Sequence, residues 1–140
     1  MNAFLTLLAR LIFAAVFAMA LFFKLSNIGQ TAAYIGAAGF PAPLALGWMA
    51  AVFEAALVLC LATGAWFRPA ALAAGAYVVF LGFAFHGPSR WAASEAEFGF
   101  FVDHFTFLAG LLYAAACGPG RWSLFKRLAP LGHSAPAIRA

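Results

Sequence analysis

Residues 44–63 read LALGWMAAVFEAALVLCLAT, a continuous apolar stretch in which Glu54 is the only charged side chain. A helix of about 20 such residues is long enough to cross the roughly 30 Å hydrocarbon core of a bilayer. The stretch does not alternate between apolar and polar residues, as the strands of a membrane barrel do. It therefore predicts a membrane-spanning helix with a carboxyl group near its middle.

Residues 3–23, 69–86 and 99–117 are long apolar segments of the same kind. Of the 140 residues 66% are hydrophobic and 9% are charged, and the mean hydropathy is +0.98. About a quarter of the residues are charged in a typical soluble domain. We therefore predict an all-α membrane protein: one four-helix transmembrane bundle within residues 1–128, followed by a mobile cytoplasmic tail, residues 129–140. The lipid bilayer is its first expected partner.

The basic residues predict the orientation of this bundle. The side that holds both chain ends carries five of them: Arg68, Arg121, Lys126, Arg127 and Arg139. Lys24 and Arg90 fall on the other side. The positive-inside rule then places both termini in the cytoplasm. Because the basic residues lie at segment ends and form no stripe interleaved with aromatics, the net charge of +4 does not indicate a nucleic-acid partner.

The connection between the first two spans is too long for a tight turn. Its residues 27–38 are predicted to form a short interfacial or re-entrant helix, which the following Gly39-Phe40-Pro41-Ala42-Pro43 would end.

Few ionisable side chains lie within or at the ends of the apolar segments: Arg10, Lys24, Glu54, His86, Asp103 and His104. Because charge is costly in hydrocarbon, such residues mark a candidate functional site. With a rise of about 1.5 Å per residue, Glu54 lies near the bilayer midplane and Arg10 only about 5 Å from its level. An ion pair between Arg10 and Glu54 is therefore predicted. Lys24, Asp103 and a histidine are expected to form a second polar cluster near the outer surface.

Each of these residues also has a structural explanation. Lys24 can extend its ammonium group to the lipid headgroups, and the Arg10–Glu54 pair can serve only to join two helices. Ligation of haem or copper is disfavoured, because only two histidines share one side and they lack close spacing. No metal site is predicted. Cys60 and Cys117 have no Cys-x-x-Cys spacing and are expected to be buried free thiols.

A series of short motifs follows a fixed order along the chain. It comprises Arg10, Phe23-Lys24-Leu25, Gly39-Phe40-Pro41 with Pro43, Glu54, Gly64, Arg68, His86, and Gly118-Pro119-Gly120-Arg121 with Ser123. In this order and at these spacings the chain resembles the DoxX family of small four-helix membrane proteins of the bacterial inner membrane. It departs from the family at Phe125, where an Asp often follows the Gly-Pro-Gly-Arg motif.

This resemblance implies a connection to membrane redox chemistry. The family takes its name from a subunit associated with a thiosulfate:quinone oxidoreductase and a terminal quinol oxidase, and other members are linked to membrane redox complexes. It implies a multi-pass protein of the bacterial inner membrane, with redox-complex subunits as partners. The resemblance does not identify the cofactor, for which a quinone is the candidate. It also does not decide whether the protein forms a homo-oligomer.

Three functions remain open on the sequence. The first is a subunit or accessory protein of a quinone-linked redox system, whose polar intramembrane pocket binds the quinone headgroup and in which His86 accepts a proton. Whether such a subunit is itself an enzyme stays open, and no catalytic residue is assigned. The alternatives are a small-solute transporter with Glu54 as its coupling residue and a non-catalytic scaffold or assembly factor. The sequence has no flavin motif, paired-cysteine centre or iron–sulfur spacing, so it does not predict an electron-transfer chain of its own.

Overall fold

The computed structural model describes residues 2–92 and 94–124, and over these residues the chain is helical without strands. The elements, in chain order, are α1 (Asn2–Ser26), α2 (Ile28–Ala37), α3 (Pro43–Thr63), α4 (Phe67–His86), a short 3-10 turn (Pro88–Arg90) and α5 (Glu95–Cys117). All but α2 and the turn are long and apolar enough to span a membrane. The predicted fold class, an all-α bundle with four spans, is confirmed. The predicted tail, residues 129–140, and the basic residues after position 124 lie outside the described residues.

α2 is the helix predicted in the first long connection. It begins because Asn27 Oδ1 accepts a hydrogen bond from Gln30 N, 3.0 Å away, which caps the free N–H groups of the first turn. Past its end, Gly39 adopts a φ of +86°, which costs glycine little. A Cβ on Gly47 of α3 would lie 3.3 Å from Ile28 Cδ1, so this glycine lets α2 lie close against α3. At ten residues α2 is too short to span.

α5 begins four residues before the apolar segment that predicted it. The Ser94 hydroxyl accepts a hydrogen bond from Ala96 N, 3.2 Å away, and caps the helix. Glu95 and Glu97 follow in the first turn, where carboxylates interact favourably with the helix dipole. The polar first turn carries no hydrophobic signal. Glu97 lies between the predicted segments 69–86 and 99–117, where a loop was expected, and the structure places it on a helix.

The four spans form two closely packed pairs, α1 with α3 and α4 with α5. α3 also contacts α4, and Phe13 of α1 reaches α5, where its ring centroid lies 6.4 Å from that of Phe107. A Cβ on Gly110 would lie only 2.8 Å from the Phe13 ring, so a glycine is needed at this crossing. Small residues allow such close approach between helices in lipid.

The apolar core lies mainly in the half of the bundle that contains the α3–α4 turn. Its buried residues come from all four spans: Ala14, Phe17, Leu57, Leu61, Phe67, Ala70, Ala71, Ala74, Val78, Leu111 and Ala115. Much of the outer surface is also apolar, as expected for helices that face lipid; Val52 is 69% exposed and Tyr113 is 74% exposed. The other half of the bundle, toward the α4–α5 connection, contains polar side chains and cavities.

Candidate functional site

Glu54 is the centre of the polar cluster and is 1% exposed. Its Oε1 lies 2.8 Å from Lys24 Nζ and accepts a hydrogen bond of 2.9 Å from the Tyr77 hydroxyl. The three side chains come from α3, α1 and α4, so the cluster joins three spans. Glu54 Oε2 is buried and has no hydrogen-bond partner among the described residues. Oε1 of Glu54 thus has two side-chain partners, whereas Oε2 can still accept a hydrogen bond.

The predicted ion pair between Arg10 and Glu54 is wrong. Arg10 is 3% exposed, and its guanidinium group donates to main-chain carbonyls at the end of α3 and in the segment that follows α5. The acceptors are Ala62 O at 3.2 Å in the last turn of α3, and Pro119 O at 2.7 Å and Trp122 O at 3.1 Å beyond α5. The last carbonyls of a helix have no intrahelical partners, and a guanidinium group has five N–H donors in a fixed plane. Arg10 therefore joins the end of α3 to the segment after α5, and it lines neither of the cavities described below.

The direction of helical side chains explains which cation meets Glu54. Every Cα–Cβ bond tilts toward the N-terminus of its own helix. Lys24, near the C-terminal end of α1, therefore extends back into the bundle, and Arg10 extends away from its middle. Glu54 tilts toward the N-terminus of α3, which lies near the end of α1. Lys24 thus pairs with Glu54 in the interior, and the alternative in which it extends to the headgroups does not occur in the structure.

A second polar group joins the end of α4 to α5. His86 Nδ1 lies 2.7 Å from Glu97 Oε2, and the His86 ring centroid lies 5.4 Å from that of His104. His104 Nδ1 donates to Phe100 O at 2.6 Å, which orients its ring. A Cβ on Gly82 would lie 3.1 Å from His104 Cβ, so this glycine allows α5 to bring His104 beside His86.

Two cavities share this polar region. The larger, about 830 Å³, lies among α1, α2, α3 and α4, with His104 of α5 at its edge. The smaller, about 440 Å³, lies among α1, α3, α4 and α5 and includes Glu54 and Asp103 in its wall. The residues common to both are Ala20, Lys24, Tyr77, Leu81, His86 and His104. The smaller cavity thus brings together Lys24, Asp103 and both histidines, the residues of the second predicted cluster.

Six polar residues of the site were absent from the sequence prediction: Glu97, Tyr77, Tyr34, and Asn27, Gln30 and Thr31 in the wall of the larger cavity. Ser94 and Glu97 have the S-x-x-E spacing of a capping box, which would have indicated that Glu97 belongs to a helix. Tyr77 and Tyr34 carried no signal beyond their residue type. Tyr34 stacks on Phe85 with ring centroids 5.0 Å apart and lines the larger cavity. Burial raises the pKa of Tyr34, Arg90 opposes this and Glu97 adds to it, so the phenol stays protonated at neutral pH.

In residues 2–92 and 94–124, no three His, Cys, Asp or Glu side chains converge in a way that could hold a metal ion. Cys60 and Cys117 are free thiols. The predicted burial is wrong for Cys117, which is exposed, and Cys60 is partly buried.

The DoxX family model matches residues 5–87, a range that includes Arg10, Lys24, Glu54 and His86 together with the whole of α2. No curated protein and no solved structure matches the chain. The four apolar helices make it a multi-pass membrane protein. Since the matched residues make up more than half of its length, the chain belongs to the DoxX family.

Proposed function

We propose that the protein is a subunit or accessory protein of a quinone-linked membrane redox system, and that its larger cavity binds the quinone headgroup. The observation that carries this proposal is the composition of that cavity. Its walls are mostly apolar, and Lys24, Tyr77, His86 and His104 supply polar groups, as do four residues of α2 and its N-cap: Asn27, Gln30, Thr31 and Tyr34. Cavities of roughly 300–1,000 Å³ with apolar walls and a few placed polar groups are typical of small-molecule sites.

The polar groups suit a molecule with two carbonyl oxygens on a flat ring. The Lys24 ammonium group has three N–H donors, of which the pair with Glu54 Oε1 uses one. The remaining donors can bind one quinone carbonyl, and a histidine can hydrogen-bond the other and exchange a proton with it. Aromatic side chains offer flat apolar contacts for the ring: Phe40, Phe53, Phe80 and Phe85.

The proposed setting is the bacterial inner membrane, with both chain termini in the cytoplasm and the cavities in the outer half of the bilayer. The distribution of basic residues supports this orientation. Redox-complex subunits are the proposed partners, because membership of the DoxX family implies a link to membrane redox complexes. A quinone diffusing in the bilayer would then exchange between this site and the partner that supplies or removes electrons.

Direct binding tests the proposal. The purified protein is placed in lipid nanodiscs and titrated with short-chain ubiquinone and menaquinone analogues, with tryptophan fluorescence as the readout. Tyr77→Phe removes one hydroxyl from the cavity and disturbs the Lys24–Glu54 pair, so we expect the Kd to rise about two- to tenfold, the worth of one hydrogen bond.

Tyr113→Phe is the matched control. It removes the same hydroxyl from the lipid-facing side of α5, outside both cavities, and should leave the Kd unchanged. Absence of saturable binding, or equal weakening in the two variants, would contradict the proposal and favour the scaffold alternative.

A further inference from the structure

We infer that the smaller cavity is a water-filled path through which protons reach Glu54 from the face of the bundle that carries the α4–α5 connection. It is a different space from the proposed quinone site, although Lys24, Tyr77 and the two histidines border both. The use of the path for quinone chemistry rests on the proposed function. The presence of water and its access to Glu54 do not.

The Oε2 oxygen of Glu54 is buried and unpartnered within the described part of the chain, and leaving a buried carboxylate oxygen without a hydrogen bond costs free energy. Glu54 forms part of the wall of the smaller cavity, whose volume of about 440 Å³ has room for several water molecules. Lys24, Asp103 and His104 supply the further polar partners that a buried water needs. Water in this cavity therefore satisfies Oε2.

His86 and Glu97 link this cavity to the surface of the bundle. His86 lines the cavity, and its Nδ1 lies 2.7 Å from Glu97 Oε2 in the first turn of α5. The two side chains are 19% and 24% exposed. A protonated Glu97 can donate to His86 Nδ1, and the imidazole can release the proton of Nε2 to cavity water, which delivers it to Glu54 Oε2. One proton moves and no other bond changes.

The walls of the smaller cavity carry charged or titratable groups from every span. These are Lys24 from α1, Glu54 from α3, Tyr77 and His86 from α4, and Asp103 and His104 from α5, while Glu97 of α5 lies outside the lining and pairs with His86. The two carboxyl groups in the walls outnumber the one ammonium group, which favours cations and protons. Phe17 and Val78, which belong to the apolar core, also line the cavity, as does Phe107, and the core closes it on that side. The path therefore ends at Glu54 and does not cross the membrane.

The experiment measures whether water reaches this depth. In a background with Cys60→Ala and Cys117→Ala, a single Val78→Cys places a thiol in the cavity next to Tyr77. Val52→Cys, at a similar depth but 69% exposed on the lipid side, is the matched control. Nanodisc samples are treated with Ag⁺ in chloride-free buffer, and the thiol left for alkylation is measured by intact mass. Because the thiolate that reacts forms only where water is present, we expect Val78→Cys to react at least about tenfold faster.

The outcomes are decisive in both directions. Val78→Cys reacting no faster than Val52→Cys would show that the cavity is dry and would overturn the inference. If Val78→Cys does not give a folded protein, Val16→Cys on the α1 wall of the same cavity is the equivalent test.

His86→Phe, added to the Val78→Cys variant, places an apolar ring at the proposed entrance and should slow the reaction toward the control rate. An unchanged rate would reject the route through Glu97 and His86. No quinone is present in these measurements, so a failure to bind quinone would not affect their result, and a dry cavity would not affect quinone binding.

Discussion

Replacing Arg10 by methionine should destabilise the bundle more than any other change of a basic residue in the described part of the chain. Methionine has a similar length and no donors, so three partly buried hydrogen bonds to main-chain carbonyls are lost, those to Pro119 O, Trp122 O and Ala62 O. An unsatisfied buried acceptor costs roughly 1–3 kcal/mol, and partial access of water to the carbonyls near the helix ends reduces the sum. We expect the free energy of unfolding to fall by about 3–5 kcal/mol.

The assay is reversible unfolding in mixed micelles, followed by circular dichroism. Arg121→Met, an exposed position at the same end of the bundle, is the control and should change the free energy of unfolding by no more than about 0.5 kcal/mol. A loss in Arg10→Met as small as that in Arg121→Met would refute the role of Arg10 as the link between the end of α3 and the segment after α5. Because Arg10 and Glu54 make no contact, Arg10→Met and Glu54→Gln should be additive to within about 0.5 kcal/mol. A larger coupling would instead support a direct pair.

Two further predictions concern the polar half of the bundle. Glu54→Gln leaves the Lys24 ammonium group without its anion, and removing one partner of a buried pair costs about 3–5 kcal/mol. Because the Lys24 side chain is 20% exposed, we expect the free energy of unfolding to fall by about 2–3 kcal/mol. The double variant with Lys24→Met should recover part of this loss. Unfolding free energies that are equal in the single and double variants would contradict this. Gly82→Ala places a Cβ 3.1 Å from His104 Cβ and should cost about 1–3 kcal/mol. Gly99→Ala, with no heavy atom within 4 Å, should instead stabilise α5 by about 0.5–1 kcal/mol, so a loss in both variants would point to a general effect of alanine.

The sequence predicted the spans well because twenty apolar residues in a row leave few alternatives in a bilayer. It also predicted α2, which has its own capping residue in Asn27. The depth of Arg10 along its helix did not predict its partner. Helical side chains tilt toward the N-terminus, so Arg10 extends away from the middle of the bundle, whereas Lys24 extends into it. Glu97 was assigned to a loop because hydrophobicity does not mark a polar first turn.

The site depends on more than the spacing of charges. Tyr77 and Tyr34 meet the other polar groups only through the packing of α4 and α2, which no local pattern in their own segments indicates. The free-energy cost of a charged group in hydrocarbon thus identifies candidate site residues in the sequence. It does not identify the residues that they contact.

The uneven distribution of the apolar core has a consequence for how such a chain can change. The residues that hold the spans together lie toward the α3–α4 turn, and those that border the two cavities lie mostly in the other half of the same helices. A substitution such as Met49 or Leu46 to another apolar residue alters the shape of the larger cavity without removing a core contact. A single substitution can therefore change which ligand the cavity prefers without lowering the stability of the bundle. Two proteins with this architecture need not bind the same molecule.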